Sequence, residues 1–260
     1  MRIPFYKYHG TGNDFIIIDN RKLLFIGGKE LISNLCDRHF GIGADGLLLL
    51  QESKAYDFEM VYYNSDGKEA TMCGNGGRCI TAFAHKVGIC TENVKFIAAD
   101  GEHVANIIDH DNEMDRISLK MSDVKEVELS GNLFIMNTGT PHFVTFVDDV
   151  KKIDVFSSGR AIRYNQRFTE KGINVDFVEI HDNNLIVRTY EKGVEDETLS
   201  CGTGVTASAI AASYKNNHLK YSVQTKGGSL NVRFLRKGDF FTDIWLEGPA
   251  KLIFKGEIEI

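Results

Sequence analysis

The 260-residue chain has no apolar run near the roughly 18 to 20 residues a membrane-spanning helix needs; runs such as Phe15–Ile18 and Leu47–Leu50 stop at four. Its opening, MRIPFYKYHG, has no apolar stretch of about 7 residues and no small-residue cleavage site, so no secretory signal is expected and the chain is read as cytoplasmic. There is no basic stripe either. Thirty Lys and Arg against 36 Asp and Glu leave a net charge of −6, which argues against an electrostatic footprint for nucleic acid or an anionic membrane. An anionic ligand would have to be held by local donors.

Metal-ligand spacing is missing too. No C-x2-C pair occurs, and the eight His form no H-x3-H or H-E-x-x-H element, so no metal is expected. The five cysteines (Cys36, Cys73, Cys79, Cys90, Cys201) are odd in number, which argues for free thiols over a disulfide framework. A free cysteine is by default a small buried hydrophobe, and Cys36, Cys79 and Cys90 are read that way. Cys73 and Cys201 differ because of what surrounds them.

What is present is an ordinary globular composition, 43% hydrophobic and 25% charged, which fits neither disorder nor a fibrous repeat. Glycine is plentiful (25) and proline scarce (3), and short β-rich runs recur between Gly, Asn and Asp turns. Strands are predicted at Phe15–Asp19, Gly46–Gln51, Phe58–Asn64, Val94–Ala98, His103–Ile108, Ile117–Lys120, Phe143–Val147, Asp176–His181, Asn184–Tyr190, Tyr221–Thr225, Ser229–Leu235 and Phe241–Leu246. Helices are predicted at Lys29–His39, at Asn75–Val87 with a Gly88 stop, and at Thr203–Lys215. The last has almost no polar face, the mark of a buried helix. Many short strands around a few helices make an α+β protein. The string Gly41-Ile42-Gly43-Ala44-Asp45-Gly46 spells G-x-G-x-x-G, but it precedes a strand instead of opening a helix, so a dinucleotide site is not read from it.

An offset of 128 residues lays Cys73-Gly74-Asn75-Gly76 over Cys201-Gly202-Thr203-Gly204, each leading into a small-residue helix. It also lays Phe15-Ile16 over Phe143-Val144, after the turns Gly10-Thr11-Gly12 and Thr138-Gly139-Thr140. With a three-residue slip, Gly41-Ile42-x-x-Asp45 matches Gly172-Ile173-x-x-Asp176. Three matches in one order read as two homologous halves. Facing halves would bring both Cys-Gly turns to one cleft.

A helix start exposes about four unpaired amide N–H groups and the positive end of the dipole. A cysteine there is expected to have a lowered pKa, and the glycines let the backbone cradle a carboxylate. Two such turns suit stereoinversion at a carbon flanked by the two thiols. One thiolate removes a proton from one face and the other thiol returns one to the opposite face. The amides would hold the carboxylate on which charge builds, in place of an imine cofactor.

At these residues the chain resembles the diaminopimelate epimerase family, cofactor-independent enzymes that interconvert L,L- and meso-diaminopimelate for lysine and peptidoglycan synthesis. The resemblance runs over essentially the whole chain: His9-Gly10-Thr11-Gly12-Asn13-Asp14-Phe15, Asn64-Ser65-Asp66-Gly67, Cys73-Gly74-Asn75-Gly76-Gly77-Arg78-Cys79, Pro141-His142, Gly172-Ile173-Asn174, Tyr190-Glu191, Glu197-Thr198 and Cys201-Gly202-Thr203-Gly204. It implies two pseudo-twofold halves, each a β-barrel-like sheet around a central helix. One half would hold 1–118 with 251–260, the other 119–250, and the active site would lie in the cleft between them. It implies Cys73 and Cys201 as the acid/base pair, with His142 and Glu191 beside the thiols setting their protonation. Asn13, Asn64 and Asn174 would contact the substrate by side chain, and Gly74, Asn75, Gly202 and Thr203 by amide; Glu191 and Lys192 would line the same site. No metal and no cofactor is implied; the only partner is a small molecule, and a homodimer is an allowed assembly. Some members carry Gln where this chain has Gly46 and Asn where it has Thr140, and Lys192 stands where the family usually has the Arg that holds the distal end of the substrate. Lys is a point charge where Arg is a bidentate fork. The loop 193–197 is one residue longer than in some members. Two other readings stand beside this one: a proline- or hydroxyproline-type racemase of the same fold, and a thiol redox module.

Overall fold

The computed structural model describes residues 2–110 and 114–259. Its strands are β1 (Arg2–Gly10), β2 (Asn13–Asp19), β3 (Gly46–Gln51), β4 (Phe58–Asn64), β5 (Glu69–Ala70), β6 (Asn93–Ala98), β7 (Gly101–His110), β8 (Met114–Lys120), β9 (Val127–Ser130), β10 (Leu133–Asn137), β11 (Pro141–Phe146), β12 (Asn174–His181), β13 (Asn184–Glu191), β14 (Asp196–Thr198), β15 (Lys220–Thr225), β16 (Gly228–Lys237) and β17 (Phe240–Glu259). Its α-helices are α1 (Lys29–Cys36), α2 (Gly74–Lys86), α3 (Val155–Arg163) and α4 (Gly202–Asn216). None is long and apolar enough to cross a membrane.

The chain packs as two compact units, Met1–Leu119 with Gly248–Ile260, and Lys120–Glu247. Positions 1, 111–113 and 260, which the sequence assigns to the first half, lie outside the described residues.

In the first unit eight strands close a ring: β17–β1–β2–β3–β4–β6–β7–β8 and back to β17, parallel only at β2–β3 and β4–β6. The helix α2 fills it, with every residue from Gly74 to Ala84 buried. The helix α1 covers the outside of β2 and β3, where Ile32 and Cys36 pack on Ile16, Ile18, Leu47 and Leu49. A parallel pair buried on both faces needs no polar alternation, which is why these strands read Phe-Ile-Ile-Ile and Leu-Leu-Leu-Leu.

The second unit repeats the order. Its ladder runs β9–β10–β11–β12–β13–β15–β16–β17, again parallel only at the second pair of each kind, β11–β12 and β13–β15. A bridge from Val124 to Phe241 brings the segment before β9 back against β17. The helix α4 sits where α2 sits in the first unit, with Val205 to Ser213 all buried. Each fully buried aliphatic side chain such as Ile210 contributes about 1.5–3 kcal/mol. The helix α3 covers the outer face through Val155, packed with Phe143, Val175 and Tyr190.

The single strand β17 serves both units. Residues 240–247 pair with β16, and 248–259 with β8 and β1. The sequence predicts only Phe241–Leu246 of this span as a strand and assigns 251–260 to the first half. Other elements differ from expectation as well, with β5, β9, β10 and β14 absent from the predicted strands. The first helix stops at Cys36 because Asp37 is extended, and its carboxylate accepts from the His39 and Phe40 amides at 2.7 Å each, making a turn. The helix α3, started by Asp154 capping Ser157 N at 3.0 Å, is absent from the predicted list. So is β1, where the buried Lys7 interrupts the apolar pattern.

Register also corrects the repeat. Phe15 faces Gly46 across β2–β3, and His142 faces Asn174 across β11–β12. Phe15 points inward at Gly76, whereas Phe143 lies in the outer cluster with α3. A one-residue shift exchanges the faces of a strand, so the counterpart of Phe15 is His142, and Leu48 rather than Asp45 is the counterpart of Asp176.

Candidate active site

Cys73 and Cys201 are the N-cap residues of α2 and α4, both in extended backbone, and neither caps its helix with its side chain. Each therefore stands at the mouth of its helix, where the first amides can meet an anion. In both units the hairpin before the second strand rests on that turn. Thr11 Oγ1 donates to Asn75 Oδ1 at 3.4 Å, and Thr138 Oγ1 donates to the Thr203 carbonyl at 2.9 Å. Thr11 and Gly12 have φ of 51° and 88°, the two left-handed residues a tight two-residue hairpin needs.

Around the half-buried Cys73 the polar groups are amides and an arginine. Its thiol donates to Asn13 Oδ1 at 3.7 Å, the oxygen that also accepts from Asn75 Nδ2 at 3.2 Å. Asn13 Nδ2 donates to Asp45 Oδ2 at 2.7 Å. Arg78, fully buried, donates to Asn75 Oδ1 at 2.8 Å and to the Gly74 carbonyl at 3.1 Å.

Around Cys201 the groups are different. The thiol lies 3.3 Å from Thr203 Oγ1, which lies 2.9 Å from His142 Nε2. His142 Nδ1 lies 2.7 Å from Asp176 Oδ2, and both side chains are wholly inaccessible to solvent. Asp176 Oδ1 also accepts from Thr189 Oγ1 at 2.7 Å. A buried carboxylate at Nδ1 fixes a proton there and leaves Nε2 facing Thr203 Oγ1, Thr140 Oγ1 and Asn174 Nδ2. Thr203 Oγ1 thus bridges the Cys201 thiol and His142 Nε2. Gly204 makes this possible, because a Cβ there would meet Asp176 Oδ1 at 2.4 Å and His142 Cε1 at 3.2 Å.

The sequence-based expectation of a lowered thiol pKa fails at Cys201. Burial pushes this thiol well above the ordinary value, and the charges of Glu191 and Asp176 push the same way; the bonds from Thr203 and the Gly204 amide oppose them and lose. Helix-terminus stabilisation is outweighed by desolvation and two carboxylates.

The remaining expected residues divide. Asn174 is buried and belongs to the Cys201 group: Nδ2 donates to Thr140 Oγ1 at 2.8 Å and lies 3.2 Å from His142 Nε2, while Oδ1 accepts from Lys192 N at 2.8 Å. Glu191, half-buried at the end of β13, acts on Cys201 through its charge. Lys192 brings its backbone amide to Asn174 while its side chain is exposed, lying over Gly172 beside Arg163. Asn64 is exposed at the end of β4, and its backbone amide bonds Lys68 O at 2.9 Å. Cys36, Cys79 and Cys90 are buried, and desolvation raises all three thiols, Cys36 to about 11 and Cys90 to about 12. They are packing residues.

Sequence reasoning missed Arg78 and Asp176 as neighbours of the thiols. Asp176 stood in the repeat match and Arg78 in the Cys73 motif, but burial, which separates them from surface charges, is not written in spacing. It also missed a group at the far end of α2, where His85 Nδ1 lies 3.7 Å from Asp115 Oδ1 and His110 bonds the same carboxylate oxygen. Twelve helical residues place it about 18 Å from Cys73.

The chain was compared with known proteins. The family model described as diaminopimelate epimerase matches residues 5–127 and 134–253. The diaminopimelate epimerase of Flavobacterium psychrophilum is 51% identical over 257 residues, covering 97% of this chain and 99% of that protein. That of Chlorobaculum tepidum is 39% identical, covering 96% and 99%. Among solved structures, a PhzF-family phenazine biosynthesis protein of Bacillus anthracis superposes with a TM-score of 0.76 at 14% identity, over the whole of both chains. A probable proline racemase of Agrobacterium radiobacter does so with 0.72 at 14% identity, covering 99% and 93%; these two likenesses concern the fold alone. With a family match over nearly its full length and relatives far above 30% identity, the chain belongs to the diaminopimelate epimerase family.

Proposed function

We propose that this protein interconverts L,L- and meso-diaminopimelate, with Cys73 and Cys201 acting from opposite faces of one α-carbon. The observation that carries the reading is that a family member places a cysteine at the N-cap of the buried central helix in each of its two units. The two reaction directions exchange the roles of acid and base, so two like groups are what microscopic reversibility asks for.

The residues then have the following tasks. The substrate's α-carboxylate takes the amides that open α2 and α4, at Gly74, Asn75, Gly202 and Thr203. As one thiolate takes the α-proton, the C–H electron pair moves into the carboxylate, and those amides stabilise the extra charge. The opposite thiol delivers its proton to the other face and becomes the thiolate. Atoms and charge balance without a redox partner.

Burial and the charges of Glu191 and Asp176 hold the Cys201 thiol protonated, so it starts as the acid, and Cys73 acts as the base once its proton has left Asn13 Oδ1. Turnover in the other direction needs Cys201 ionised. Its proton can pass to Thr203 while the Thr203 proton passes to His142, leaving a thiolate and an imidazolium beside Asp176. Asn13 and Asn174 orient the substrate, and the exposed side chain of Lys192 meets its distal end.

Mass spectrometry of diaminopimelate incubated with the protein in deuterated water tests the reading. One deuterium per substrate at the inverted carbon supports it; no exchange, or exchange of proline instead, removes it.

A further inference from the structure

Arg78 lies at the first turns of α2, and its guanidinium is completely buried. A buried cation is costly unless it is paired, and among the described residues no carboxylate lies within ion-pair distance of it. Its partners are neutral oxygens: the Gly74 carbonyl, Asn75 Oδ1, and Thr11 Oγ1 at 3.4 Å. Its Nε has no hydrogen-bond partner.

The other charges near this turn cancel among themselves. Lys7 pairs with Asp14 at 2.7 Å, and Arg38 with Asp14 and Asp45 at 2.7 Å each, two cations against two carboxylates. Asp100, which accepts from Met72 N at 3.1 Å, is paired with His103 at 3.2 Å. Arg78 is the uncompensated charge, and the ionisable groups it faces are Cys79 and Cys73. Cys79 is wholly buried, and burial raises its thiol out of the ionising range. Cys73 remains.

The geometry also dictates amide polarity. Arg78 has only donors, so Asn75 turns Oδ1 toward it and Nδ2 toward Asn13. The carboxylate of Asp45 takes Asn13 Nδ2, which turns Asn13 Oδ1 toward Cys73. Gly10 leaves the space for this: a Cβ there would stand 3.1 Å from Arg78 Nη2 and 3.2 Å from the Asn75 carbonyl.

We propose that Arg78 is the positioning residue of the Cys73 turn, holding the Asn75–Asn13 amide pair in the polarity that keeps an acceptor on the Cys73 thiol, and supplying the positive charge that balances the Cys73 thiolate once that proton has left. The inference rests on the reading that Cys73 ionises during turnover.

The test uses the full chain with Arg78→Met, Arg78→Gln and Arg78→Lys. The pH dependence of Cys73 alkylation by iodoacetamide is followed by peptide mass spectrometry, alongside epimerisation kinetics and circular dichroism. Arg78→Met should move the alkylation profile up by about one pH unit, as loss of a neighbouring opposite charge does, and lower kcat at least tenfold with KM nearly unchanged. Arg78→Lys, which keeps the charge and loses the fork, should restore most of the profile and only part of kcat. If Arg78→Met does not fold, Arg78→Gln carries the same expectation. An unmoved profile in a folded, charge-less variant overturns the proposal. A moved profile in a chain that never exchanges the diaminopimelate proton would leave the charge assignment standing and remove the proposed function instead.

Discussion

The two Cys-Gly turns occupy the same place in the same topology, yet two exchanges make them electrostatic opposites. The inward residues nearest Gly76 include Phe15 and Leu48, whereas those at Gly204 are their ladder counterparts His142 and Asp176. Five residues after each cysteine stand Arg78 and Thr206, and each bonds back to the carbonyl of the glycine after its cysteine, at 3.1 and 2.9 Å. One turn thus carries a buried cation and the other a buried anion with a histidine. A duplicated turn has kept its backbone and changed its charge. The lesson is that the shared geometry can serve both proton transfers, while the unlike neighbours decide which thiol starts as acid and which as base.

The comparison can be broken most severely at the cysteines. Cys73→Ser and Cys201→Ser should each lower epimerisation by at least about 1000-fold, since a serine hydroxyl cannot replace a thiolate base. Steady-state rates with L,L- and meso-diaminopimelate check it, and near-normal turnover by either variant would end the two-base account.

Next in size is the anion of the Cys201 turn. Asp176→Asn frees the His142 tautomer and should reduce kcat about 100-fold, the lower part of the range for a general base. The same change removes a carboxylate that raises Cys201, so its thiol should ionise at lower pH than in the unsubstituted chain. A lower kcat with an unmoved Cys201 titration would mean that Asp176 acts only by packing.

Lys192 lies outside both turns, and Lys192→Met should cost about tenfold in kcat/KM, the low end for a charge-assisted contact made by an exposed group. An unchanged kcat/KM would leave the distal end to other groups.

The smallest effect concerns stability. Buried thiols such as Cys79 and Cys201 stay protonated in the fold while the unfolded thiols ionise near 9. A raised folded pKa stabilises below the unfolded pKa and is lost as pH rises, so the melting temperature should fall between pH 8 and pH 10. At pH 10 the loss is about 1.4 kcal/mol per thiol, and Cys79→Ala should flatten the slope by a corresponding amount.

Much of this was legible in the sequence for a definite reason. The Cys-Gly-x-Gly repeat marks helix starts through residue type alone, and the four-residue apolar runs mark the doubly buried β2 and β3. The α+β class and the central helices follow from those signals. What stayed hidden depends on burial and facing. Lys7 breaks the pattern of β1 because its charge is satisfied by Asp14, a contact no local window contains. The repeat aligns letters, Phe15 with Phe143, where the fold aligns faces. Arg78 and Asp176 are ordinary charged residues until enclosure makes each one dominate its neighbourhood. The lowered pKa expected at Cys201 failed for the same reason, since desolvation is invisible in a motif.

The central claim is that the ligand-free chain keeps Cys201 protonated to higher pH than an ordinary thiol. Thiolate ultraviolet absorbance followed from pH 7 to pH 9, compared between the unsubstituted chain and Cys201→Ser, tests it without depending on reagent access to the buried Cys201. Cys201→Ser should leave the absorbance gained by pH 9 unchanged. A loss of that absorbance in Cys201→Ser would contradict the claim.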